Sequence, residues 1–155
     1  SYNDHYGYWR GDEMIRLQAE CLTGACDPRR DFVGHVGGDD FVLLMQSADW
    51  QRRIESAVAH FNRRAQGLFD EAARAAGGIW AEDRQGVQRF HPCTTLSVGV
   101  LKVGPDQFHR AEEVASAAAW AKHLAKQSAG GIHLMDGREA IARLNQLAGA
   151  HPPPG

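Results

Sequence analysis

The stretch Gly37-Gly38-Asp39-Asp40-Phe41, set between Phe32-Val33-Gly34-His35-Val36 and Phe41-Val42-Leu43-Leu44-Met45, reads as a β-hairpin with two carboxylates at its tip. Gly-Gly at a two-residue turn supplies the positive φ angles that primed hairpin turns need. It also lets backbone approach a ligand with no Cβ in the way. Adjacent acidic side chains there suit a hard cation such as Mg2+, which takes oxygen ligands and keeps waters and substrate phosphates in its shell. Gly-Asp turns are also common surface punctuation, so the pentapeptide alone leaves a merely structural hairpin open.

Working outward, the segment Tyr2-Asn3-Asp4-His5-Tyr6-Gly7-Tyr8-Trp9-Arg10-Gly11-Asp12 precedes a helical pattern, Met14, Ile15, Leu17, Ala19 and Leu22. It resembles the N-D-x-x-G-H-x-x-G-D-x-x-L stretch of GGDEF domains. The strand Thr95-Leu96-Ser97-Val98-Gly99-Val100 and the helix carrying Ala121-Lys122 and Ala125-Lys126 follow the Gly37 to Phe41 signature in family order. Four segments in the right sequence are a far stronger signal than any one of them.

The alternation of strands and helices argues for an α/β arrangement with helices packed on a mainly antiparallel sheet. The resemblance narrows this to the ferredoxin-like palm of nucleotide cyclases. It implies a GGDEF-like domain over residues 1–148, followed by an extended tail over 149–155. The sequence begins inside the family motif, so the first, central strand and its metal-binding Asp are expected to be absent. A fragment of this extent is therefore expected to show no turnover.

The resemblance implies condensation of two GTP molecules into cyclic di-GMP by two facing domains of a homodimer, with Mg2+ or Mn2+ as cofactor. Asp39 occupies the metal-binding position of the signature, with Asp40 beside it as the second catalytic carboxylate. Gly37 and Gly38 would let backbone approach the phosphates. Asn3 and Asp12 match the two positions that read guanine: a carboxylate accepts from the N1-H and N2-H2 donors that adenine lacks. Lys126 resembles a late helix lysine that contacts phosphates. Each has a plainer reading: Asp39 as a turn former, Asn3 in a turn, Asp12 as a helix cap, Lys126 as a solvated charge.

Several positions depart from the family pattern. Asp40 stands where active members carry Glu, keeping the charge but shortening its reach by one methylene. Tyr8 replaces the usual His, and His35 replaces an Arg, removing a fixed charge and a forked donor. The product-inhibition pattern R-x-x-D becomes Pro28-Arg29-Arg30-Asp31, so Asp31 is kept in a degenerate inhibitory site and weak or absent feedback is expected.

A chain of 155 residues with 43% hydrophobic content can bury one core without disulfides. Its net charge of -2 gives no basic footprint for nucleic acid. Three cysteines without a C-x-x-C pair suit a reducing, cytoplasmic compartment, and a zinc site at His91 and Cys93 lacks further ligand spacing. No apolar run of about 18 residues is present to span a membrane.

The remaining pattern predicts a helix opened by Gly11-Asp12 and running to Leu22, a long helix from Ala48 to Ala76 that would either bend at Gly67 or project beyond the sheet, and an accessory hairpin from Ile79 to Phe90. It further predicts a strand from Thr94 to Leu101, an alanine-rich helix from Ala111 to Gln127 with Val114, Ala118, Ala121 and Leu124 along its stripe, a strand at Ile132 to Met135, and a last helix from Arg138 to Leu147.

Three functions fit these features. One is a bacterial diguanylate cyclase. Another is a degenerate GGDEF domain that binds GTP or a protein partner and regulates an attached phosphodiesterase or sensor domain. The third is an interaction module built on the long helix, with no nucleotide.

Overall fold

The computed structural model describes residues 2–150, without the side chains of Asn3, Asp4, Tyr8, Trp9 and Ala150. It divides into two compact units, Ser1–Leu96 and Ser97–Gly155. The expected tail from 151 onward lies outside the described residues.

The first unit contains α1 (Tyr2–Tyr6), α2 (Tyr8–Ala25), β1 (Phe32–Gly37), β2 (Asp40–Leu44), α3 (Trp50–Ala65), a 3-10 turn (Gln66–Leu68), α4 (Glu71–Ala76), β3 (Gly78–Glu82) and β4 (Gln88–Pro92). Its core lies between α2 and α3. Met14, Leu17, Cys21, Leu22 and Ala25 on α2, and Ile54, Ala57, Val58, Phe61 and Ala65 on α3, are all buried. On α3 those positions recur at spacings of three and four, so a single stripe is removed from water. Each large side chain in it, such as Phe61, stabilises the fold by about 1.5–3 kcal/mol. The apolar face that would have served an interaction module is thus used internally.

The long helix expected from Ala48 to Ala76 is interrupted. After Ala65 the chain tightens into the 3-10 turn, turns extended at Phe69 and Asp70, and restarts as α4. Asp70 causes the restart: its side chain accepts from the Ala73 amide at 2.8 Å, an N-cap that an unbroken helix would not need. Gly77, left-handed at φ 78, closes α4.

β1 and β2 pair antiparallel, as do β3 and β4. In the accessory hairpin Trp80 lies opposite Phe90, with ring centroids 5.4 Å apart. Asp83 organises its loop, accepting from the Gln85 and Val87 amides and from Arg89 Nε at 2.6 Å. The Val87 bond leads in holding its carboxyl below the usual carboxylate range.

The second unit contains β5 (Val98–Lys102), α5 (Ala111–Gln127), β6 (Ile132–Asp136) and α6 (Gly137–Ala150). β5 and β6 are parallel, joined by α5 as a crossover helix. The expected strand start at Thr94 is four residues early, because the Leu96 amide is taken by Asn62 Oδ1 on α3 at 2.8 Å rather than by a ladder partner. Ala117, Ala121, Met135 and Ala140 form the core of this unit, with Leu101, Phe108 and Leu124 packed around it. The buried stripe of α5 is Ala117, Ala121 and Ala125, so of the stripe read from sequence Val114, Ala118 and Leu124 flank it. Gly99 explains the shift: a Cβ there would run into the Lys122 amide nitrogen, so helix backbone rests directly on the strand.

Among the described residues no helix is long and apolar enough to cross a membrane.

Candidate functional site

The β1–β2 register runs from Phe32 opposite Leu44 to His35 opposite Phe41, then slips, so that Gly37 faces Asp40. The slip moves the turn by one residue. Gly38 and Asp39 form the two-residue connection, not Gly37 and Gly38, and Gly38 supplies its positive φ of 54°. Asp39 and Asp40 therefore sit at the end of a rigid ladder, both exposed to solvent.

Two side chains grip this tip from behind. His35 Nε2 lies 2.7 Å from the Gly38 carbonyl oxygen. A carbonyl only accepts, so Nε2 carries the proton. The His35 ring also stacks on Phe41, with centroids 4.5 Å apart and planes 14° from parallel. From α2, Gln18 Nε2 donates to the Asp39 carbonyl at 2.8 Å. Neither contact was legible in the sequence, where His35 registered only as a lost arginine and Gln18 carried no signal.

Asp12 stands on the exposed surface of α2. The helix begins earlier than its sequence suggests, at Tyr8, so Asp12 lies beyond the first turn and neither opens nor caps it. The break that sets this start is Gly7, at φ 87 and ψ 167, a conformation essentially confined to glycine.

Asn3 lies on α1, and its side chain is outside the described residues. Two tyrosines anchor α1 to the turn before α4. The Tyr2 hydroxyl donates to Leu68 O at 2.6 Å, and the Tyr6 hydroxyl donates to Asp70 Oδ2 at 3.0 Å while accepting from the Asp70 amide at 3.1 Å. Phe69 fits edge-on against Tyr2, centroid to centroid 5.0 Å. Arg10 adds a bond to Leu68 O at 3.3 Å and lies over the Tyr6 ring. The Ala73 amide first, then Tyr6, holds the Asp70 carboxyl low.

Asp31, expected as the remnant of an inhibitory site, has its oxygens occupied. Oδ2 accepts from the Asp27 amide at 2.8 Å and the Ser47 hydroxyl at 2.5 Å; Oδ1 accepts from the Gln46 and Ser47 amides at 2.8 and 3.1 Å. These bonds, the Ser47 hydroxyl foremost, lower its pKa to about 2.

Lys126 belongs to the second unit, exposed in the last turn of α5, where a cation complements the helix dipole.

Among the described residues no three His, Cys, Asp or Glu side chains converge on a possible metal. Cys93 is a buried core thiol, its pKa raised by burial and its Sγ directed at Ala73 O at 3.8 Å. Asp39 and Asp40 offer oxygen donors only. That fits an ion such as Mg2+, held by one or two carboxylates together with substrate phosphates and water, rather than an all-protein cage.

Compared with known families, the chain matches the model described as diguanylate cyclase, GGDEF domain, over residues 1–131. The mixed α/β structure, with its antiparallel hairpins and packed helices, agrees with the palm fold of that family. No curated protein and no solved structure matched the chain.

Proposed function

Since the chain belongs to the GGDEF domain family of cyclic di-GMP signalling, we propose that it binds GTP at the Gly37–Asp40 tip, the site at which an active domain of the family condenses two GTP molecules to cyclic di-GMP when two such domains face each other. The observation that carries this reading is the hairpin tip itself. It presents Asp39 and Asp40 to solvent and is tied through Gln18 to the helix that bears Asp12.

In this reading Asp12 and Asn3 read the guanine edge, the first by accepting from its paired donors. Gly37 and Gly38 leave room for phosphate oxygens beside the backbone. Asp39, with Asp40 adjacent, would hold Mg2+ or Mn2+, which would supply charge neutralisation at the triphosphate. Catalysis is then mainly positioning: the 3′-hydroxyl of one nucleotide is set in line with the α-phosphate of the other, and a homodimer is required to bring them together. The setting is a bacterial, cytoplasmic signalling protein with an attached sensor or phosphodiesterase domain.

One observation favours the alternative, a degenerate domain that binds GTP or a protein partner and regulates its neighbour. His35, which stands in place of an arginine, has its Nε2 turned onto Gly38 O and carries no forked donor for a phosphate.

Calorimetric titration of the chain with GTP and with ATP, in Mg2+ and in EDTA, tests the proposal, with cyclic di-GMP sought by mass spectrometry in the same samples. A Mg2+-dependent preference for GTP that Asp12→Ala removes supports it. Equal indifference to both nucleotides ends it. Binding without product agrees with the expected absence of turnover, whereas product would select the cyclase over the regulatory alternative.

A further inference from the structure

We propose that Gln18 and His35 are positioning residues that set the direction of the Asp39 and Asp40 carboxylates by holding two consecutive backbone carbonyls of the turn. This rests on reading the tip as the nucleotide and metal site.

A two-residue connection that begins with glycine and projects into solvent has much local freedom. The Gly38 carbonyl belongs to the peptide plane before the Asp39 Cα, and the Asp39 carbonyl to the plane after it. His35 Nε2 holds the first at 2.7 Å and Gln18 Nε2 holds the second at 2.8 Å. Fixing both planes fixes φ and ψ of Asp39, and with them the exit vector of its side chain and the entry into Asp40. The two grips differ in origin. His35 acts from within the hairpin, and its stacking on Phe41 keeps the imidazole from swinging away. Gln18 acts from α2, bridging 21 residues of sequence.

Gln18 and Asp12 share α2, about 9 Å apart along its axis at 1.5 Å per residue. The helix proposed to read the base therefore also sets the loop proposed to hold the metal. The His35 contact gives that position a task that needs a single N–H donor and no permanent charge. A hairpin tip held this way is preorganised before nucleotide arrives, so ordering it costs less on binding.

The test uses the whole chain with Gln18→Ala, His35→Ala, the double variant, Gln18→Glu, which keeps size but cannot donate, and His35→Gln, which keeps a donor. Amide resonances of residues 38–41 are followed by NMR, thermal melting is recorded, and GTP affinity is measured in Mg2+ and in EDTA. Each alanine variant is expected to shift or broaden the tip resonances at unchanged melting temperature. Each should weaken GTP binding in Mg2+ by about 2- to 10-fold, the equivalent of one net hydrogen bond, with little change in EDTA. Gln18→Glu should behave as Gln18→Ala, and His35→Gln should recover most of the loss. Tip resonances in the double variant that match those of the unchanged protein would overturn the proposal. If the unchanged protein takes no GTP, the nucleotide reading fails while the resonances still decide whether the tip is held.

Discussion

Asp31 and Ser47 are joined twice: the Ser47 hydroxyl donates to Asp31 Oδ2 at 2.5 Å and the Ser47 amide to Oδ1 at 3.1 Å. Asp31 immediately precedes β1 and Ser47 follows β2, so one carboxylate ties the two feet of the hairpin whose tip carries Asp39 and Asp40. Ser47 is itself buried, 5% exposed, which leaves its hydroxyl and amide few other partners.

The first consequence concerns acid. In the unfolded chain Asp31 titrates near its ordinary 3.8, and in the fold near about 2, so between these values the unfolded state binds more protons. The stability that Asp31 contributes is present in full above the unfolded value and is lost as pH falls through the folded one. Asp31→Asn should lower the melting temperature at neutral pH, and the gap from the unchanged protein should close steadily as pH drops from about 4 toward about 2. Melting curves across that range check it; a gap that stays constant would dissociate the carboxylate from the hairpin base.

Cyclic di-GMP should not bind tightly through Asp31. Four donors already occupy its two oxygens, and the first arginine of the inhibitory pattern is Pro28. A titration is expected to show weak or no binding. Tight binding that disappears in Asp31→Ala, with the fold intact by circular dichroism, would contradict it.

Gly7→Ala should weaken the junction of α1 and α2. At φ 87 and ψ 167 a side chain is strained whatever the space around it, and the cost is about 1–3 kcal/mol. Because α1 carries Asn3, the variant should also weaken GTP selectivity. Urea unfolding and the GTP-to-ATP affinity ratio are the two readouts; an unchanged midpoint would mean that the junction yields without strain.

Gly99→Ala should destabilise the second unit by about 1–3 kcal/mol or more. The new methyl would meet helix backbone at Lys122, which cannot rotate away as a side chain could. Met135→Ala, which empties the fully buried centre of the same unit, is expected to cost about 2–5 kcal/mol by the opposite route, a cavity. Chemical denaturation of each variant measures both, and a neutral Gly99→Ala would show that α5 can lift from β5.

The β1–β2 hairpin, the accessory hairpin and the succession from β5 to α6 were determined by the sequence, because alternation, helical spacing and glycine placement are local properties of the chain. The family motif likewise singled out Asp12, Asp39 and Asp40 from residue type and order alone. Tertiary structure decided what no local signal encodes. The turn sits at Gly38-Asp39 because the ladder slips after His35, and register is a property of two strands together. The long helix breaks at Asp70 because that carboxylate accepts from the Tyr6 hydroxyl through one oxygen and caps the Ala73 amide through the other. The buried side of α5 follows the place where Gly99 admits the helix backbone. Asp31, Gln18 and His35 acquired their tasks only from partners 16, 21 and 3 residues away, through hydrogen bonds whose donors and acceptors meet once the chain has folded.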